Sequence, residues 1–81
     1  MKNRPELEEI MLNFPAGIPV AGLRKYERGE PEYVQRIRGR VDGAIMTAGL
    51  TPDQFRKMAR VMVRTGQGEL VDGLFKLKGA P

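Results

Sequence analysis

Residues 53–64, DQFRKMARVMVR, contain four basic side chains whose spacing suits contact with an anion. They recur at steps of one, three and four residues, which places them in one outer arc of a helix: Arg56, Lys57, Arg60 and Arg64. Like charges one turn apart repel by roughly 0.2–0.5 kcal/mol, so an ordinary solvated face mixes its signs. The sequence therefore indicates a surface for an anionic partner, while a solvated face with an Asp53–Lys57 ion pair stays open as the alternative.

The residue types that perform most protein chemistry are missing from this chain. No His, Cys or Ser occurs in the 81 residues, so the usual imidazole base, thiolate and seryl nucleophile are absent. Zinc sites normally use His or Cys, and neither an EF-hand spacing nor a phosphate-binding glycine motif occurs. We therefore expect no enzymatic activity, no catalytic residue, no metal site and no cofactor.

The composition predicts one small, basic helical domain over residues 1–81. This length offers too little surface for two cores, and 41% hydrophobic with 30% charged residues is typical of globular proteins. The net charge is +4, and the excess of basic residues lies within residues 36–64. No signal-peptide pattern and no run of roughly 20 apolar residues occurs. We expect a cytoplasmic protein with no membrane partner.

The spacing of apolar residues predicts three helices that position the basic side chains. The first covers residues 6–13 and ends before Pro15. The second begins at Pro31 and carries an apolar stripe at steps of three and four as far as Ala48. The third covers residues 52–65. The segment between the first two helices mixes Gly and Pro with apolar residues, which indicates a loop or a short extended stretch.

A sharp turn is predicted between the second and third helices. Gly49 suits the left-handed conformation that ends a helix, and Leu50 can fold back toward Ile45. Thr51 is a good N-cap, and Gln54 has the spacing that completes a capping box. Two packed helices therefore meet at a corner of only a few residues.

The tail, residues 68–78, fits two structures. As a hairpin, Asp72 and Gly73 suit a type I′ turn, and Glu69 lies across from Lys76. As a helix, its apolar residues form a stripe that Gly73 interrupts. The sequence thus predicts a mainly α domain of three to four helices, with a short C-terminal β-hairpin as one form of the tail.

The corner resembles that of helix-turn-helix DNA-binding domains, over about residues 41–78. The resemblance rests on a helix that ends at Gly49, then Leu50 and Thr51, and a new helix with Phe55 facing inward. It implies that the third helix is the recognition helix and that a tail hairpin corresponds to the wing of winged-helix members. It also implies a small transcription regulator that binds duplex DNA as a homodimer.

The hypothesis of duplex-DNA binding assigns contacts to seven residues of this sequence. They are the capping threonine, the basic side chains of the third helix, and two arginines of the second helix as phosphate contacts: Thr51, Arg56, Lys57, Arg60, Arg64, Arg36 and Arg40. For the arginines of the second helix, side-chain stems that cover the edge of the core are the alternative.

A second hypothesis concerns a protein partner. Five Met residues and the apolar residues 18–23 suit a module that binds an acidic protein surface. Examples are a phage accessory or structural component, or an inhibitor of a host enzyme.

Overall fold

The computed structural model of the protein describes residues 4–78, which form three helices and a small antiparallel sheet. The helices are α1 (Arg4–Leu12), α2 (Glu32–Thr47) and α3 (Pro52–Arg64), and the strands are β1 (Ile18–Pro19), β2 (Gly68–Val71) and β3 (Leu74–Leu77). A 3-10 helix, Val20–Leu23, follows β1 directly. The expected mainly helical domain with a C-terminal hairpin is confirmed, and the helical form of the tail is wrong.

The core lies where the helices meet the sheet. All of its buried members are apolar: Leu7, Ile10, Phe14, Ile18, Val41, Ile45, Phe55, Ala59, Met62, Phe75 and Leu77. Phe55 of α3 and Phe75 of β3 pack edge to face, with ring centroids 6.3 Å apart and an interplanar angle of 83°. Such pairs add about 0.5–1.5 kcal/mol to the effect of burial. The third helix is therefore fixed to the sheet by one face.

The corner between α2 and α3 is built from the two predicted caps. Gly49 has φ 88°, and the amide of Leu50 donates to the carbonyl of Ile45 over 3.1 Å, which closes the last turn of α2. The Thr51 hydroxyl accepts from the Gln54 amide at 3.1 Å, and the Gln54 side chain accepts from the Thr51 amide at 2.9 Å. The predicted helix end and capping box are confirmed.

The hairpin has the predicted turn and register. Asp72 and Gly73 have φ 53° and 75°, as a type I′ turn requires. Glu69 lies opposite Lys76, as predicted. In this register Leu70 faces Phe75 across the ladder, on the side of the sheet that meets α3.

The segment after α1 pairs with the sheet and packs against α2. β1 pairs with β3 on the edge away from β2, with Ile18 opposite Phe75. The 3-10 helix then packs against α2 so closely that a Cβ on Gly22 would lie 2.7 Å from Cγ2 of Val41. The Val20 amide donates to the Gly73 carbonyl at 2.9 Å, which ties this segment to the hairpin turn. The 3-10 helix thus stands between α2 and the sheet.

Candidate nucleic-acid interface

Three cations form the outward face of α3. At 100° per residue, the side chains of Lys57, Arg60 and Arg64 fall within an arc of about 60°, and the centre of the buried face lies almost opposite. The buried face consists of Phe55, Ala59 and Met62. All three cationic residues are exposed. We call Lys57, Arg60 and Arg64 the basic face.

The basic face is not neutralised from within the described part of the chain. Over residues 4–78, no carboxylate lies within ion-pair distance of these three side chains. Arg60 and Arg64 stand one turn apart, so they repel each other by roughly 0.2–0.5 kcal/mol. An anion that contacts both would remove this repulsion, and the face can therefore attract a polyanion.

Arg56 differs from the basic face in exposure and in partners. Only 16% of its side chain is exposed, and its guanidinium donates to the Asp53 carboxylate. The alternative of a solvated face paired Asp53 with Lys57, but the structure pairs Asp53 with Arg56. Asp42 of α2 also interacts with Arg56: burial raises the pKa of Asp42, and the charges of Arg56 and Arg38 offset part of that rise. Arg56 is therefore a partly enclosed cation with acids on both helices.

Thr51 lies at the start of α3, where its hydroxyl oxygen already accepts the capping hydrogen bond. The residue is exposed, so its hydroxyl proton can still donate to an acceptor outside the protein. Its placement at the helix N-terminus also puts it where anions are favoured by free amides and the helix dipole.

An apolar groove of about 370 Å³ runs beside the basic face. The 3-10 helix, α3 and the hairpin enclose it, and we call it the apolar groove. Its apolar lining is Val20, Leu23, Ala59, Val63, Leu70 and Phe75, and its charged lining is Arg56, Arg60 and Arg64. Leu70 is 56% exposed and Val63 36% exposed, although both are large aliphatic side chains. Sequence reasoning did not find this opening, because three separate elements form it.

The two arginines of α2 that were expected to contact phosphates lie elsewhere. Arg36 is 74% exposed and pairs with Glu32 at 3.1 Å. Arg40 stacks over the ring of Phe14, 5.8 Å from its centroid, and lines a second groove between α1 and α2. The structure therefore does not bring Arg36 or Arg40 into the groove that Arg56, Arg60 and Arg64 share.

Arg38, on another side of α2, is enclosed by the loop that precedes the helix. Its guanidinium donates to the Glu30 carboxylate, and only 11% of the Arg38 side chain and 8% of the Glu30 side chain are exposed. It also donates to the carbonyl of Arg24 at 3.3 Å and lies 5.5 Å from the centre of the Tyr26 ring. The hydrogen bond from Arg38 lowers the pKa of Glu30. We call Glu30, Arg38 and Tyr26 the arginine clip.

Between residues 4 and 78, no cluster of three or more acidic side chains has the geometry to hold a metal ion. Within the same residues, none of the helices combines the length and the apolar character needed to cross a membrane.

Comparisons of the chain with protein-family models, with curated protein sequences and with solved structures find no match.

Proposed function

We propose that the protein is a small cytoplasmic regulator that binds duplex DNA, with α3 in the major groove and the β2–β3 hairpin beside it. The observation that carries the proposal is the basic face: three exposed cations that point away from the core and have no acidic partner within residues 4–78. The order of elements also supports it, because a hairpin follows α3 directly, as a winged-helix resemblance implies.

The dimensions of the basic face suit the major groove. Lys57 and Arg64 are seven residues apart, which is about 10 Å along a helix, and the groove is about 12 Å wide. In this arrangement Thr51, Lys57 and Arg60 lie on the early, exposed part of α3 that enters the groove, and the charges of Lys57, Arg60 and Arg64 reach phosphates along its edges. Arg56, which is largely enclosed, positions the start of the helix through Asp53. One module of this size offers limited contact area, so we propose two copies on the DNA.

The salt dependence of binding tests the proposal. Three phosphate contacts give a slope of about −2.7 in log K against log salt, so a fourfold rise in salt weakens binding by about 40-fold. We propose fluorescence anisotropy with a labelled pool of duplexes at about 50 and 200 mM salt, the range over which phosphate contacts are sensitive. Affinity that does not change over this range would contradict the proposal.

A matched pair of variants locates the contact. Lys57→Ala and Arg36→Ala each remove one positive charge from an exposed position, on α3 and on α2. We expect Lys57→Ala to reduce the magnitude of the salt slope by about 0.9, because one phosphate contact is lost, and Arg36→Ala to leave it unchanged. Equal effects would show that attraction depends on net charge and not on the basic face.

The protein-interaction hypothesis also has a specific observation in its favour. The apolar groove places exposed aliphatic side chains next to three arginines, and aliphatic side chains gain nothing from phosphate contacts. A partner for this surface must supply both carboxylates and apolar groups.

A further inference from the structure

We propose that the apolar groove is a docking site for an acidic, amphipathic helix of a partner protein. The floor and the rim of the groove have different chemistry. The floor offers Leu70 and Val63, the exposed aliphatic side chains that line the groove; Leu12, Val61 and Val71 are also exposed but are not part of its lining. The rim is basic, and it comes from a single helix.

The arginines of the rim have a spacing that acidic residues on a partner helix can match. Arg56, Arg60 and Arg64 follow one another at intervals of four residues, about 6 Å along α3. Acidic side chains four residues apart on a second helix have the same spacing. Arg56 already pairs with Asp53, so a helix that lies along α3 can place two carboxylates opposite Arg60 and Arg64, whose guanidinium groups bind carboxylates in bidentate geometry.

The floor supplies the apolar part of the contact. Val20 and Leu23 of the 3-10 helix line the groove together with Val63 of α3 and Leu70 of β2. The volume of about 370 Å³ lies within the range of about 300–1,000 Å³ that ligand sites occupy. Grooves of this kind take the apolar stripe of an amphipathic helix, with side chains at steps of three and four as anchors.

The positive charge of the rim favours an acidic helix over a second copy of the chain as the partner in the groove. A twofold contact through the groove would use the same patch on both copies, and the arginines of one rim would face those of the other. Like charges opposed in this way cost several kcal/mol. An acidic partner relieves the repulsion between Arg60 and Arg64 instead.

Docking has a consequence that rests on the proposed DNA-binding function. Arg60 and Arg64 belong both to the basic face and to the rim of the groove, whereas Lys57 belongs only to the basic face. A bound acidic helix would therefore occupy two of the three cations that DNA needs. Acidic helix and DNA would exclude each other, so that the partner acts as an inhibitor of DNA binding.

The test begins with a selection in which neither charge nor sequence is imposed. A displayed library of helical peptides of about 16 residues, long enough to form about four turns, is selected against the full chain. We expect the enriched sequences to carry Asp or Glu at four-residue spacing beside an apolar stripe. Enrichment of basic or neutral helices, or no enrichment, would overturn the proposal.

The enriched peptide is then measured by fluorescence anisotropy against three variants. Leu70→Ser and Val63→Ser each remove an exposed aliphatic side chain from the floor, and we expect each to weaken binding at least tenfold. Lys57→Ala lies outside the groove and should leave peptide affinity unchanged. Thermal melts check that each variant folds. The second floor variant keeps the test decisive if the first one fails to fold. Unchanged affinity in both folded floor variants would overturn the proposal.

The same variants separate this inference from the proposed function. Weaker DNA binding by Lys57→Ala with unchanged peptide affinity, and weaker peptide binding by Leu70→Ser with unchanged DNA affinity, would support both. If the chain binds the acidic peptide but no DNA, the proposed function fails and the docking site stands. If it binds DNA but selects no acidic helix, the docking site fails and the proposed function stands.

Discussion

The 3-10 helix Val20–Leu23 has two neighbours, and it meets them in opposite ways. On the α2 side there is no gap: Gly22 lies against Val41 and Ile37, and the arginine clip closes the loop that follows. On the α3 side the same segment lines the apolar groove through Val20 and Leu23. The closed side pairs its enclosed arginine with a carboxylate, whereas on the open side Arg60 and Arg64 have no carboxylate partner within residues 4–78. We infer that the first contact stabilises the fold and that the second is available to a partner.

The largest effect on stability is expected from a methyl group added where the 3-10 helix contacts α2. A methyl group at Gly22 would lie 2.7 Å from Cγ2 of Val41 and 2.9 Å from Cγ2 of Ile37. Both side chains are β-branched and cannot turn away easily. Gly22→Ala should therefore lower the free energy of unfolding by about 1–3 kcal/mol, measured by denaturant titration.

A second glycine gives the matched control. Gly39 lies in the exposed middle of α2, and a methyl group added there would have no neighbouring atom within 4 Å among the described residues. Gly39→Ala should raise the free energy of unfolding by about 0.5–1 kcal/mol, because alanine favours the helix. The same sign for both substitutions would contradict the close contact at Gly22.

The next effect concerns the arginine clip. Glu30→Gln removes the charge that neutralises Arg38, whose side chain is only 11% exposed. We expect a lower melting temperature, because an enclosed guanidinium loses its partner. Glu32→Gln breaks the exposed pair with Arg36 on the same helix and should leave the melting temperature almost unchanged. Equal shifts in the two variants would show that the enclosure of Arg38 contributes nothing.

The clip also has a pH dependence of defined sign. The hydrogen bond from Arg38 lowers the pKa of Glu30 in the folded protein. Its contribution to stability is therefore complete above the ordinary glutamate pKa of about 4.3, and it is lost as the pH falls through the lowered value. The difference in melting temperature between the wild type and Glu30→Gln should shrink below about pH 4.

Some elements of this fold can be predicted from the sequence and others cannot. The helices were found within two residues at each end, because apolar spacing and caps are local signals. The register of Glu69 with Lys76 followed from the turn alone. β1 is only two residues long and contains Pro19, so it carried no alternation by which a strand could be recognised.

The contacts that distinguish one arginine from another were not predictable in the same way. Glu30 reaches Arg38 across the start of α2, and the loop path decides whether they meet. Asp53 had two basic neighbours within one turn, and packing against α2 decides which one it binds. The basic face could be predicted because a helix alone arranges it. The apolar groove could not, because Val20 and Leu23 line it together with α3 and the hairpin, which lie far away along the chain.

A smaller effect is expected at Asp42, between the closed and open sides. One oxygen of its carboxylate is buried and has no hydrogen-bond partner within residues 4–78. Burial raises its pKa, so its contribution is fully present below the ordinary aspartate pKa of about 3.9 and is lost as the pH rises through the raised value. Asp42→Asn should therefore raise the melting temperature at pH 7 and have little effect at pH 3. A lower melting temperature at pH 7 would indicate that the attraction to Arg56 outweighs burial.

The smallest effect should appear on the open side, with a sign opposite to that of an ordinary surface contact. Arg60 has Arg56 and Arg64 one turn away on either side, and no carboxylate within residues 4–78 pairs with it. Arg60→Gln removes this repulsion while glutamine keeps a high helix propensity, so the free energy of unfolding should rise by about 0.2–0.5 kcal/mol for each pair relieved. The same substitution should weaken the binding of both DNA and the acidic helix. A gain in stability joined to a loss of binding is expected when a charge is kept for a partner and not for the fold. If denaturant titration instead shows that Arg60→Gln destabilises the protein, the side chain has a structural role, and the contrast between the two sides of the 3-10 helix fails.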